Sequence, residues 1–356
     1  MLHKIQPIAV TGGWFAMSAL LALAACDAGA TEPWQTPPGS VGGSIVLRTV
    51  MVEDEDEQPA SAGAAAARQL QATMGDVPLQ AVLVSECFED LEYKTELLQG
   101  IASVIPAERI YGTSTYGSFT HQGCGGFDSV CLLGIGGEGI SVAAALVTEM
   151  DTSRLAFDED EPLIKQRLNA AGAQLAEKVR RTDQDRLLVL LADAHSPKNQ
   201  HLVRGVQHVL GDDFPMTGGS ANRNAGQTFV YYQGQAYADS AVALMLSGDF
   251  RIALSGRKAM EHDEVVSTAR DGVQEALTGL DGQPLAVLAF NCAGRRGRLQ
   301  RPEDELAAIT EVLSEDVPLF GCYCAGEVGP LDASESEPGV LCGGSGWYVM
   351  FAVIGR

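Results

Sequence analysis

The sequence predicts a mixed α/β fold, in which mixed parallel and antiparallel sheets are flanked by helices. First, three segments repeat one order: an apolar strand, an amphipathic helix and a strand that closes on a glycine. Second, these strands are continuous apolar runs, which is typical of strands buried on both faces, and a strand–helix–strand order favours a right-handed parallel crossover. We therefore expect internally duplicated β-α-β units, each extended by an antiparallel hairpin.

The elements follow in order along the chain. A first strand is predicted at 44–50, and an alanine-rich helix at 60–73, because alanine has the highest helix propensity. The three repeats are predicted at 81–85, 93–104 and 109–114, then at 187–192, 200–210 and 214–220, and last at 285–290, 302–313 and 318–324.

The glycines that close the repeats are evenly spaced. Gly112, Gly218 and Gly321 lie 106 and 103 residues apart, a period that is too long for a solenoid and fits duplicated subdomains. The clearest hairpin has a strand at 228–232, a turn at Gln233-Gly234 and a second strand at 236–246.

The N-terminus carries a secretion signal. Lys4 precedes the apolar run 15–26, which ends in Leu23-Ala24-Ala25-Cys26 and resembles a bacterial lipoprotein signal. The resemblance implies a signal peptide at 1–25, a lipid on Cys26 and a location on the extracytoplasmic side of the cell envelope, at the periplasmic face or outer surface. An ordinary signal peptide with a chance cysteine is the alternative. Residues 26–43 are rich in proline and glycine, which predicts a flexible tether.

Charge and cysteine content exclude several classes of partner. The formal net charge of −22 disfavours binding to nucleic acid and to anionic lipid headgroups. Seven cysteines remain besides Cys26, so at least one thiol is left over from any set of intramolecular disulfides. The Cys322-Tyr323-Cys324 spacing is not that of a zinc or redox pair. We therefore expect no metal and no cofactor.

Four short motifs carry a resemblance to a known family. Residues 110–117 resemble the first landmark of the FIST domain, and residues 215–221 resemble its second. Residues 291–295 and 320–330 resemble its C-terminal half. The resemblance implies a sensory module for small molecules, with amino acids as proposed ligands, and it suggests an N-terminal domain at 44–260 and a C-terminal domain at 261–356.

Glycine turns at strand ends are the first candidate binding groups. Backbone N–H groups of Gly218, Gly219 and Ser220 would hold a carboxylate, because successive amides form anion-binding concavities. Glu327, after Gly326, would bind an ammonium group. The alternative is that the glycines only permit tight turns and that Glu327 is an exposed turn acid.

Three further side chains complete the candidate set. Arg295 would bind a carboxylate through two hydrogen bonds of its planar guanidinium. Cys292 and Ser114 lie where a ligand-contacting group or a nucleophile would lie, although a buried structural cysteine is the commoner case.

Together these observations predict a lipid-anchored, extracytoplasmic protein that binds a small ligand, such as an amino acid or a small carboxylate, without transforming it. We expect it to signal through a separate membrane protein. Two alternatives stay open: an enzyme with Cys292 or Ser114 as nucleophile, and a scaffold lipoprotein in which the glycine turns are structural.

Overall fold

The computed structural model describes residues 43–179, 182–222 and 228–356, which belong to one compact unit, 33–356. The predicted signal peptide, Cys26 and all of the predicted tether except residue 43 lie outside the described residues. No helix in these ranges has both the length and the apolar character that crossing a membrane requires.

Strands make up most of the regular structure. In chain order they are β1 Val46–Glu53, β2 Leu79–Glu86, β3 Ile110–Ser114, β4 Ser118–Thr120, β5 Gly123–Cys124, β6 Ser129–Gly136, β7 Ile140–Val147, β8 Asp185–Ala192, β9 Met216–Ser220, β10 Val230–Tyr232, β11 Gln235–Tyr237, β12 Ala241–Gly248, β13 Arg251–Lys258, β14 Pro284–Cys292, β15 Leu319–Cys324, β16 Glu327–Gly329, β17 Gly343–Ser345 and β18 Tyr348–Gly355.

The helices alternate with these strands. They are α1 Pro59–Met74, α2 Leu91–Ala102, α3 Phe157–Val179, α4 Asn199–Leu210, α5 His262–Gly279, α6 Ala293–Arg296 and α7 Pro302–Thr310. The predicted helices at 60–73, 93–104, 200–210 and 302–313 are confirmed to within a few residues as α1, α2, α4 and α7. The sequence reasoning missed α3 and α5. These helices are the counterparts of α1: α3 lies at the equivalent place in the second repeat, and α5 in the third.

The strands form three six-stranded sheets with one shared pattern. Their orders are β1-β6-β2-β3-β10-β11, β7-β12-β8-β9-β16-β17 and β13-β18-β14-β15-β4-β5. The pairs β2–β3, β8–β9 and β14–β15 are parallel, and the other neighbours are antiparallel. This confirms the predicted mixed sheets and duplicated units.

Each repeat gives its hairpin to the sheet of another repeat. The hairpin β4–β5 of the first repeat pairs with β15, β10–β11 of the second pairs with β3, and β16–β17 of the third pairs with β9. The three repeats are therefore joined in a cycle. The predicted domain boundary at 260 falls between β13 and α5, inside the third repeat, and stays a prediction.

The hairpin exchange corrects one predicted strand. The segment 236–246, expected to be one continuous strand, is divided between β11 in the first sheet and β12 in the second. Asp239 lies between them with a positive φ of 46°. Asp239 and Ser240 interrupt the apolar run at this break, but the two flanking pieces are both strands and differ only in their partners, which local sequence does not indicate.

The inner faces of the three sheets share one core, and the helices cover the outer faces in three smaller clusters. The landmark glycines occupy equivalent positions, since Gly112, Gly218 and Gly321 are in register with residues 84, 190 and 289 of the adjacent parallel strand. A Cβ at Gly112 would lie 2.1 Å from the Val84 carbonyl oxygen. Close packing therefore requires glycine there.

Candidate functional site

The carboxyl ends of the central parallel strands carry three turns that interlock through backbone hydrogen bonds. Each turn donates an N–H to the last or next-to-last residue of a neighbouring repeat's strand. The three bonds are Tyr116 N–H to Tyr323 O at 2.8 Å, Ala325 N–H to Ser220 O at 3.0 Å and Asn222 N–H to Ser114 O at 3.0 Å. We call this arrangement the turn ring, and the predicted site residues lie on or next to it.

Glu327 is the most unusual group at the turn ring. It begins β16 in register with Gly219, and its side chain is fully buried. Its Oε2 accepts a hydrogen bond from the Tyr348 N–H at 3.1 Å, and Oε1 makes no hydrogen bond of ordinary geometry among the described residues. The reading of Glu327 as an exposed turn acid is therefore wrong.

Burial decides the protonation of Glu327. Desolvation raises the pKa of this carboxyl well above its usual value of 4.5, against the opposing effects of the Tyr348 N–H, the nearby Cys292 thiol and the charge of Arg295. The environment therefore favours the neutral, protonated carboxyl, which can donate as well as accept a hydrogen bond.

Cys292 lies beside Glu327, at the end of β14. Its exposed fraction is 8%. Burial, followed by the charge of Glu327, raises the pKa of the thiol to about 12, although backbone N–H groups of Trp347, Gly294 and Arg295 act in the opposite direction. The thiolate is the nucleophilic form of cysteine, so this environment favours the unreactive thiol.

Two more thiols extend inward from Cys292. Cys324 is its register partner on β15, and the Cys322 and Cys324 sulfur atoms are 3.7 Å apart. The hydrogen bond with Cys322 and burial raise the pKa of Cys324. None of the seven cysteines among the described residues forms a disulfide.

The predicted anion-binding turn at 218–220 is instead the end of strand β9, paired with β8, and its Ser220 groups are already hydrogen-bonded within the protein. The Ser220 N–H donates to Gly326 O at 2.7 Å, and its hydroxyl donates to Ala194 O at 2.7 Å. A Cβ at Gly219 would lie 2.3 Å from the Cys324 sulfur. Gly219 therefore packs closely on Cys324 and pairs with Glu327, whereas Gly218 packs against the Leu190 carbonyl. A carboxylate would have to compete for the Ser220 amide.

Ser114 makes a similar set of backbone contacts. Its hydroxyl lies 3.3 Å from Asn222 O and 3.2 Å from Phe229 O, and its oxygen accepts the Phe229 N–H at 3.0 Å. These contacts hold the turn ring together and pair no base with the hydroxyl.

Arg295 lies close in sequence to Cys292, but its guanidinium is hydrogen-bonded to residues outside the turn ring. Its side chain is fully buried and donates to Glu305 Oε1 at 2.8 and 3.1 Å, to Val265 O at 2.9 Å and to Thr268 Oγ1 at 3.1 Å. To bind a ligand carboxylate as predicted, the guanidinium would have to break these hydrogen bonds. Tyr323 completes the cluster through its hydroxyl, 3.2 Å from Glu305 Oε2.

The sequence reasoning missed a second buried ion pair in the first repeat. Glu86, at the end of β2, pairs with Lys94 of α2 at 3.3 Å, and the Tyr231 hydroxyl donates to Glu86. Both charged side chains are fully buried. A glutamate closing a continuous apolar strand was the available signal.

A second unpartnered polar side chain lies next to Cys292. Asn291 is fully buried, and neither of its amide atoms has a hydrogen-bond partner among the described residues. Because successive side chains of a strand point to opposite faces, Asn291 and Cys292 lie on different sides of β14. Glu327 and Asn291 thus leave unused hydrogen-bonding capacity near this strand end.

Comparisons with known proteins add a family match. The family model of the FIST N domain matches residues 79–282, and that of the FIST C domain matches residues 243–330. No protein of curated function matches the sequence significantly. The two family models span every predicted ligand-binding residue.

The solved structures that align with this chain are distant in sequence. A cyanuric acid hydrolase from A. caulinodans aligns at 12% identity over 88% of this chain and 100% of its own, with a TM-score of 0.43. Another cyanuric acid hydrolase structure aligns at 12% identity over 88% and 99%, with a TM-score of 0.45. PurLQS from Thermotoga maritima aligns at 8% identity over 91% and 75%, with a TM-score of 0.30.

Proposed function

Because this chain belongs to the FIST family, whose domains generally serve as sensory modules in signal transduction, we propose that it binds a small polar ligand at the turn ring without transforming it. The ligand class that fits is an amino acid or a small carboxylic acid.

The observation that carries the proposal is the unpartnered Oε1 of Glu327. A buried polar atom without a hydrogen bond carries a desolvation penalty of about 1–3 kcal/mol, and in native proteins such atoms call for a water, an ion or a ligand. A ligand ammonium or hydroxyl group would donate to Oε1, and the protonated carboxyl would donate to a ligand carboxylate. Amino acids and hydroxy acids offer both kinds of group.

Two further observations support binding over catalysis. The raised pKa of Cys292 keeps its thiol protonated, and Ser114 bonds to backbone groups of Asn222 and Phe229. Neither side chain has the activated form that the nucleophile of a rapid catalytic cycle needs.

A thermal-shift screen of the purified protein against amino acids and short carboxylic acids tests this function. A ligand that binds the native state at a hundred times its Kd stabilises it by about 2.7 kcal/mol, so binding raises Tm in a saturable way. The shift should disappear in Glu327→Met, which removes both carboxyl oxygens, and persist in the control Glu335→Met, which removes a carboxylate bonded to Lys258 and Ser345. No shift across the panel would contradict the proposal and favour a scaffold role.

We also propose that a lipid on Cys26 anchors the protein on the extracytoplasmic side of the envelope, where it reports to a separate membrane protein. The support is the small-residue box before Cys26 in the sequence. Expression in a bacterium fed an alkyne-tagged fatty acid should label the wild type but not Cys26→Ala. Absence of label in the wild type, or label that persists in the variant, would contradict the anchor.

A further inference from the structure

A line of thiols leads from the turn ring into the core. Cys292 of β14 and Cys324 of β15 are register partners on adjacent parallel strands, so their side chains point to the same face. Cys324 and Phe290, which lies two residues before Cys292, both belong to the central core between the sheets. Cys322 completes the line, with its sulfur 3.7 Å from that of Cys324.

Backbone spacing distinguishes the two disulfides that this line permits. Neighbouring strands lie about 4.7–4.9 Å apart, inside the Cα–Cα range of about 4.4–6.8 Å that disulfides need. Cys322 and Cys324 are two residues apart on one strand, a Cα separation of about 6.6 Å at the extreme of that range. The cross-strand pair of Cys292 and Cys324 therefore fits a disulfide better than the pair along the strand.

We propose that Cys292 and Cys324 form a redox pair that hydrogen peroxide converts into a cross-strand disulfide. In the first step the Cys292 thiol loses its proton and the sulfur attacks one peroxide oxygen; the O–O bond breaks, and the departing hydroxide takes up the proton, giving a sulfenic acid and one water. In the second step the Cys324 sulfur displaces that hydroxyl group, giving the S–S bond and a second water. Peroxide gains the two electrons that the two thiols lose, and a dithiol reductant reverses the change by thiol–disulfide exchange.

Exposure determines which thiol reacts first. Cys292 has an exposed fraction of 8%, whereas Cys322 and Cys324 are completely buried. The backbone N–H groups of Trp347, Gly294 and Arg295 stabilise negative charge on the sulfur. Burial still favours the protonated thiol, so we expect oxidation in minutes to hours rather than seconds.

Oxidation would also change the proposed ligand site, a consequence that rests on the proposed function. The neighbouring Cys292 thiol lowers the pKa of Glu327, and a disulfide has no S–H group to place beside the carboxyl. The oxidised protein should therefore bind the same ligand with a changed affinity.

Peptide mapping tests the disulfide directly. Trypsin leaves Cys292 in the peptide 271–295 and Cys324 in the peptide 299–356, because the bond between Arg301 and Pro302 resists cleavage. After peroxide treatment and blocking of remaining thiols, the wild type should yield these two peptides cross-linked, with a loss of two hydrogen atoms. Chymotrypsin cleavage after Tyr323 then separates Cys322 from Cys324, and the same digest of Cys342→Ser distinguishes Cys324 from Cys342.

Matched variants complete the test. Cys292→Ser and Cys324→Ser should each lose the cross-link, whereas Cys322→Ser and Cys342→Ser should keep it; Tm of each reduced variant checks its folding. A Cys322–Cys324 bond, a link to Cys342, or overoxidation of Cys292 without any cross-link would overturn the proposal. Because the mapping needs no ligand, its result is independent of the binding screen, and a cross-link without ligand binding would reject the proposed function alone.

Discussion

Replacing Glu327 by glutamine should make the protein more stable, and by an amount that grows with pH. The carboxyl is fully buried and receives one backbone hydrogen bond, from Tyr348, and burial raises its pKa well above 4.5. Glutamine has nearly the same shape, keeps an acceptor for the Tyr348 N–H and never ionises. The substitution therefore removes the free energy of ionising a buried carboxyl and little else.

The sign and size follow from proton linkage. Above pH 4.5 the unfolded chain loses the Glu327 proton while the folded chain keeps it, so the wild type loses stability as pH rises. The loss has a limiting slope of about 1.4 kcal/mol per pH unit and stops at the folded pKa. Below pH 4.5 both states are protonated, and the two proteins should differ little.

Urea unfolding of wild type and Glu327→Gln between pH 4 and pH 8 measures this difference. The control Glu335→Gln should show the opposite trend, a loss of stability at high pH relative to the wild type. Burial acts to raise the pKa of Glu335, but hydrogen bonds from Lys258, Ser345 and Tyr348 outweigh this effect and hold the pKa below 4.5. That carboxylate stabilises the fold above pH 4.5, and its contribution disappears as pH falls through the folded pKa. A pH-independent difference for Glu327→Gln would refute the reasoning.

Three other substitutions test the packing around the site, each by urea unfolding. Lys94→Met leaves the buried Glu86 without its cationic partner and should destabilise by about 3–5 kcal/mol, much of which the double variant with Glu86→Gln recovers. An effect below 1 kcal/mol would contradict the pairing. Gly219→Ala should destabilise by about 1–3 kcal/mol because the added methyl group clashes with the Cys324 sulfur, and adding Cys324→Ala should relieve part of this cost. Strictly additive effects of the two substitutions would contradict the contact. Arg295→Met leaves the buried Glu305 without its cationic partner and should destabilise by about 3–5 kcal/mol, with or without ligand. Unchanged stability together with lost ligand binding would support the predicted role of Arg295 in binding a carboxylate.

The repeats were predictable because they rest on local signals. The sequence shows the continuous apolar strands, the helix-forming stretches and the glycines at which adjacent strands pack closely. Gly112, Gly218 and Gly321 do occupy equivalent positions in the structure. The hairpin exchange was not predictable, because it depends on which repeat a strand pairs with. The division of 236–246 between two sheets is the clearest example.

The site was predictable in position more than in chemistry. The motifs bring the 218–220 turn, Glu327 and Cys292 to one end of the core, as glycine turns at strand ends suggest. The role of Arg295 depends on Glu305, which lies ten residues further along and shows no sign of burial in the sequence. Whether a polar residue is buried with a partner or without one is set by packing between distant segments.

Isothermal titration of amino acids and short carboxylic acids into the reduced protein tests the central claim most directly. We predict saturable one-site binding for at least one compound, lost in Glu327→Met and retained in Glu335→Met. Binding that is unchanged in Glu327→Met, or no binding across the panel, would contradict a ligand site at the turn ring.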